Sequence, residues 1–159
     1  MNLNDLTKYS ALPGDFIAAS AAGLGSAAGD GDGLIAGTES CAVFEHLQLS
    51  GFIQGSFTAG SDQSGECSTQ SNMENQFSGH YLLSNTIQGV DSRENAMTLQ
   101  LGAAVPVQQL AEIDRKLDDG NPLRGAIQVV NGEEAFCTTD NGQWNEADGE
   151  PCAAIYVMR

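Results

Sequence analysis

Apolar positions divide the chain into short periodic segments separated by long polar ones. Leu3, Leu6 and Tyr9 recur at a spacing of three across residues 2–11, which predicts the end of an amphipathic helix, closed by Pro13-Gly14. Residues 16–37 are rich in Ala, Gly, Ser and Asp and carry few large apolar side chains, so they predict a long loop with one weak helical turn. Val43, Phe44 and Leu47 fall at i, i+1 and i+4 and predict a helix over 38–49. Thr38 or Ser40 can cap its start, and Gly51 suits its exit. Residues 58–79 are polar and turn-rich and predict a surface loop.

Strand patterns follow. His80 to Val90 predicts the first strand. Met97, Leu99 and Leu101 alternate with Thr98 and Gln100, the pattern of a half-buried strand. Pro106 in a first turn, Leu110, Ile113 and Leu117 along one face, and Gly120 beyond the end predict a helix over 106–118. Gly125 to Val130 and Ala153 to Met158 predict two more strands. Helices segregated from a mostly antiparallel sheet of about four strands make the fold class α+β. A chain of 159 residues suits a single domain, 1–159.

Composition narrows the function. The chain is 41% hydrophobic, enough for one modest core, and no run approaches the ~18 apolar residues of a spanning helix. Its net charge of −15, with only six Lys and Arg, argues against nucleic acid and anionic membrane surfaces as partners. The acidic excess gives solubility in a salty or extracellular setting, and it invites cation binding. Four cysteines, Cys41, Cys67, Cys137 and Cys152, contain no C-x-x-C. They read as two disulfides in an oxidising compartment, with three pairings open. Such a compartment implies an export segment upstream of Met1. Cys137 and Cys152 bracket a polar loop; bonded, they close about 16 residues and stabilise by about 3 kcal/mol. Trp144, near the tip of that loop, reads as either a lid on the local core, the favoured role, or an exposed contact for a partner.

Two acidic groups are the candidate sites. Ala28 to Glu39 approximates a calcium loop of EF-hand type. With Gly33 at position 6 of the motif, Asp30 falls at 3, Asp32 at 5 and Glu39 at 12. Asp30, Asp32 and Glu39, helped by the Leu34 carbonyl, are then the expected ligands of a calcium ion, since hard oxygens on a turning Gly-rich backbone suit it. Position 1 is Ala28, which brings no ligand, so the competing reading is a Gly-Asp turn cluster with solvated carboxylates. Asp114, Asp118 and Asp119 form the second group at the end of a predicted helix. Carboxylates there oppose the macrodipole, so Arg124, a cation or solvent must compensate them, and bracing of the Asp119-Gly120-Asn121-Pro122 turn is the favoured role.

Catalytic signatures are absent: no G-x-S-x-G, H-E-x-x-H, P-loop or dinucleotide fingerprint occurs, and His46 and His80 stand outside any motif. The expectation is a non-enzyme with no catalytic residue and no required cofactor, calcium being the one ion the sequence invites. The remote alternative is a small periplasmic hydrolase using Asp114 and Asp118.

Several segments together resemble the prepilin-type proteins of type IV pili and type II secretion. They are Tyr9-Ser10-Ala11-Leu12-Pro13-Gly14-Asp15, Gly29-Asp30-Gly31-Asp32-Gly33, Glu39-Ser40 leading to His46-Leu47, Gly51-Phe52-Ile53-Gln54-Gly55, and Ile113 to Pro122 with Gly125. They occur in family order over residues 9–125. The resemblance implies a pilin-like head in which the remnant of an N-terminal helix, residues 1–11, packs on the antiparallel sheet, with additional short helices and long loops. It implies a structural subunit, a pilin, minor pilin or pseudopilin, that acts by assembly. Its partners would be other subunits of the filament and the inner membrane, reached through an apolar helix half that this sequence lacks. It would face the periplasm before assembly and lie in a periplasmic or extracellular filament afterwards. Cys41 stands where the family has an aromatic residue and Cys67 lies in a variable loop, which favours Cys41–Cys67 and leaves Cys137–Cys152 as the terminal disulfide. The alternative function is a calcium-dependent extracellular binding or adhesion module.

Overall fold

The computed structural model describes residues 11–61, 67–87, 89–91, 94–147 and 149–158. The chain forms two compact units, Met1–Met73 and Glu74–Arg159. The helix expected over 2–11, and its packing on a sheet, lie outside the described residues apart from Ala11.

In the first unit, the expected helix over 38–49 is two pieces. A 3-10 helix, Gly37–Cys41, runs through Ala42 into helix α1, Val43–Leu49. Neither Thr38 nor Ser40 caps it. Glu39 Oε2 instead accepts the Ala36 N–H at 3.0 Å, reaching back over the first turn. The exit is a Schellman turn: Gly51 N–H bonds to Gln48 O, Phe52 N–H bonds to Leu47 O, and Gly51 takes φ +83°. Ile35, Cys41, Ala42 and Val43 are buried, and Phe44 meets Phe57 at 5.6 Å between ring centres. Residues 16–37 are turns, with one helical turn marked by the Ala22 N–H bond to Ala18 O. Cys41 is joined to Cys67, fastening the helix start to the polar loop.

The second unit carries the sheet. Strands β1 (Leu82–Ser84), β2 (Thr98–Gln100), β4 (Ile127–Val129) and β6 (Ala154–Val157) form one four-stranded sheet in the order β1-β2-β6-β4. Every pairing is antiparallel, with Leu83 opposite Leu99, Leu99 opposite Tyr156, and Tyr156 opposite Ile127. The fold class is therefore α+β with short helices. The strand expected over 80–90 shrinks to three residues because hydroxyls compete for its backbone. Ser84 Oγ accepts the Thr86 N–H, and Thr98 Oγ1 donates to the carbonyls of both Ser84 and Ile87.

Helix α2, Val107–Leu117, packs on the unit's core through Val107, Leu110 and Ala111. Pro106 precedes the helix rather than filling its first turn. The expected stripe of Leu110, Ile113 and Leu117 runs out of the core: Leu110 is fully buried, while Leu117 is 72% exposed. Asp114 takes the inward position in the last turns. Two features carry no sequence signal recognised above: helix α3, Glu134–Cys137, and the pairing of β3 (Val105–Pro106) with β5 (Pro151–Cys152). Cys137 is joined to Cys152, and both lie in the core beside Trp144, which is 4% exposed and so acts as the expected lid.

Candidate functional site

The acidic loop of the first unit is built around a residue that the calcium-loop spacing does not point to. Asp15, only 4% exposed, accepts the Gly31 N–H at 2.6 Å on Oδ1 and the Gly33 N–H at 3.0 Å on Oδ2. Gly29 makes this approach possible, because a Cβ there would overlap the Asp15 backbone. Asp30 and Asp32 then fold as successive side-chain turns: Asp30 Oδ1 accepts the Asp32 N–H at 3.1 Å, and Asp32 Oδ1 accepts the Leu34 N–H at 2.8 Å. Asp15, Asp30 and Asp32 thereby bring one carboxylate oxygen each to within 4.8 Å of one another.

Glu39 stands apart from this group. Its Oε1 accepts the Asp30 N–H at 2.9 Å and its Oε2 the Ala36 N–H. It orders the loop through its backbone rather than joining the carboxylate triplet. Leu34 contributes its N–H to Asp32. The oxygen set that converges is therefore Asp15, Asp30 and Asp32, all hard donors of the kind calcium or magnesium takes. The only sequence signal for Asp15 is its place in the Pro13-Gly14-Asp15 segment.

His46 fastens the same region. It is 1% exposed, and its Nδ1 accepts the Gly14 N–H at 2.9 Å, so the ring proton sits on Nε2, which donates to Ala27 O at 3.1 Å. The histidine is a neutral staple between two backbone segments. His80 Nδ1 and Glu45 Oε2 are buried with no bond among the described residues.

The second acidic group is a helix exit. Asp114 is fully buried; its Oδ1 accepts the Gly120 N–H at 3.2 Å and its Oδ2 accepts Trp144 Nε1–H at 2.8 Å. Asp118 Oδ2 accepts the N–H groups of Ala126 and, at 3.1 Å, Ile127. Asp119 accepts the Asn121 N–H at 2.9 Å and pairs with Arg124 Nε at 2.9 Å. The compensation required against the helix dipole thus comes from amide donors and one guanidinium. Burial raises the Asp114 pKa above the ordinary aspartate value; the bonds from Trp144 and Gly120 pull it down, and the charges of Asp118 and Asp119 push it up again. Buried and doubly bonded, Asp114 presents no oxygen to a substrate.

A groove of about 330 Å³ in the second unit is walled by Phe77, Leu101, Val105, Leu110 and Ile113, with Glu74 and Tyr81 as its ionisable lining groups. Among the described residues, no helix is long and apolar enough to cross a membrane. No family model, no curated protein and no solved structure matches this chain.

Proposed function

We propose that this chain is a structural subunit, a pilin, minor pilin or pseudopilin, of a type IV pilus or type II secretion filament, and that it acts by assembly. The observation that carries this reading is where the family-like segments go. Asp15 of the first segment grips the amides of Gly31 and Gly33 in the second. His46 of the third bonds back to Gly14 and Ala27. The Ile113 to Pro122 segment knots itself through Asp114, Asp118, Asp119 and Asn121. Four of the five segments that carry the resemblance supply contacts that hold the fold together. That is what a subunit working through its surface requires, and two disulfides suit life outside the cytoplasm. On this reading the partners are other filament subunits and the inner membrane.

The test is to express the protein in cells that assemble such filaments, shear surface filaments and cross-link the periplasmic fraction. A filament subunit co-purifies with the sheared or cross-linked filament and is lost when the assembly motor is deleted. A chain that stays monomeric and cross-links to no pilin-like protein would refute the reading. A second reading, a calcium-dependent binding module, is supported by the convergence of Asp15, Asp30 and Asp32. It predicts that chelation abolishes partner binding rather than only lowering stability.

A further inference from the structure

The terminal loop, closed by Cys137–Cys152, is tied to helix α2 by side-chain contacts. Three contacts rise from α2 to the stretch 144–146. Gln108 Nε2 donates to Glu146 O at 2.8 Å, Arg115 pairs with the Glu146 carboxylate at 2.7 Å, and Trp144 Nε1–H donates to Asp114 at 2.8 Å. The first two are exposed. The third is wholly buried and ends on a carboxyl whose nearest ionisable neighbours, Asp118 and Asp119, are also acidic, the three converging within 4.8 Å.

We propose that Asp114 and Trp144 form a proton-sensitive latch that holds the Cys137–Cys152 loop on helix α2, tight when the carboxyl cluster carries a proton and looser when it is fully ionised. The charges around it on every packed element are few. Helix α2 brings Arg115, which faces Glu146. The helix exit brings Asp118 and Asp119, and Arg124 is spent on Asp119. The loop itself brings the neutral Trp144 indole and Glu146. No cation bonds Asp114 directly among the described residues; two N–H donors reach its ionised form, and the charge of Arg115 acts on it without a bond.

The direction follows from linkage. Burial, first, and then the charges of Asp118 and Asp119 raise the Asp114 pKa in the docked loop, against the bonds from Trp144 and Gly120. With the loop lifted, water reaches the carboxyl and the Trp144 bond is gone, while Asp118, Asp119 and Gly120 stay beside it; burial, the largest cause, outweighs the Trp144 bond, so the pKa falls on lifting. Docking therefore takes up a proton between the two values. The stabilisation is fully present below the lifted-loop pKa and is lost as pH rises through the raised one. A protonated carboxyl still accepts the indole N–H through its carbonyl oxygen, so the bond survives while the buried charge disappears.

Trp144 is the only tryptophan of the chain, so its indole N–H gives one resonance and its fluorescence one signal. The experiment is a pH titration of both on the disulfide-intact chain in EDTA, for wild type, Asp114→Asn and Asp119→Asn. The indole signals should titrate with a midpoint above the ordinary aspartate value. Above that midpoint the indole N–H should exchange faster than base catalysis alone explains. In Asp114→Asn the transition should vanish. Asp119→Asn, a change at a partly exposed side chain that spares the buried pair, should lower the midpoint, and it decides the matter if Asp114→Asn does not fold. A flat wild-type signal, a midpoint at or below the ordinary value, or a midpoint unmoved in Asp119→Asn would overturn the latch.

Discussion

Replacing Asp15 by Ala removes the hub of the acidic loop, and two opposing terms decide the outcome. The bonds from Gly31 and Gly33 N–H, at 2.6 and 3.0 Å, are lost. Hydrogen bonds to a charged group are worth about 1.5–3 kcal/mol each. Both glycines lie at the surface, where water can reach their amides, so the lower end applies and the pair contributes about 3 kcal/mol. Against this, Asp15 repels Asp30 and Asp32, all three having oxygens within 4.8 Å. Each such repulsion is about 1 kcal/mol in water, so deleting Asp15 relieves about 2 kcal/mol. The net loss without a cation is about 1 kcal/mol. A bound divalent ion cancels the repulsion and exposes the full 3 kcal/mol or so, and it adds linkage of about 2.7 kcal/mol at a hundredfold excess over Kd. Urea unfolding of wild type and Asp15→Ala, in EGTA and in calcium, reads both terms. A small loss in EGTA that grows in calcium establishes an ion site. A small loss indifferent to calcium leaves the carboxylates as amide acceptors. A variant no less stable than wild type in both media would refute the hub reasoning, since water would then serve Gly31 and Gly33 as well as Asp15 does.

Other outcomes follow from the same geometry. Replacing Cys137 and Cys152 together by Ala should cost about 3 kcal/mol by the loop-entropy estimate, and replacing Cys41 with Cys67 about 3.5 kcal/mol, both read as urea midpoints. Trp144→Phe keeps an aromatic ring but takes from the buried Asp114 carboxyl one of its two donors, and should cost about 1–3 kcal/mol in a melt followed by circular dichroism. Gly29→Ala should cost about 1–3 kcal/mol, because the new Cβ meets the Asp15 backbone, which cannot turn aside as a side chain could. Lys116→Ala should leave the urea midpoint unchanged, since its pair with Glu112 is exposed and lies within one helix; a clear shift would mean that the surface charges are coupled.

The fold was legible where side-chain period and backbone agree. The alternation from Met97 to Leu101 and the apolar run from Ala153 to Met158 correspond to β2 and β6, paired at the centre of the sheet. The helix over 107–117 announced itself by periodicity, but that periodicity misassigned its buried face. Leu117 obeys the stripe and yet stands exposed, while Asp114, which breaks it, is buried. Period reports which residues share a face, not which carboxyl has a donor waiting inside. Trp144 is that donor, and thirty positions of intervening chain hide it from any local window. The first strand forms but is cut short for a different reason: Ser84 and Thr98 hydroxyls take backbone partners that a longer ladder would need.

The two acidic groups show why composition alone could not rank them. Each has three carboxylates close together, so charge density is the same clue for both. What separates them is the direction from which donors arrive. At the helix exit Gly120, Ala126, Ile127 and Trp144 donate to Asp114 and Asp118, of which Asp114 is fully buried, while Arg124 pairs with Asp119 at the surface. In the loop, only Asp15 is enclosed; Asp30 and Asp32 are exposed and satisfied within their own turns. A proton is the ion that suits the first arrangement, because it needs no coordination shell and removes a buried charge. A hydrated divalent cation is the ion that suits the second, because two of the three ligands already face water and can share it. The same surplus of Asp thus leads to a pH titration in one unit and a calcium titration in the other, and neither response should appear when its own carboxylates are amidated.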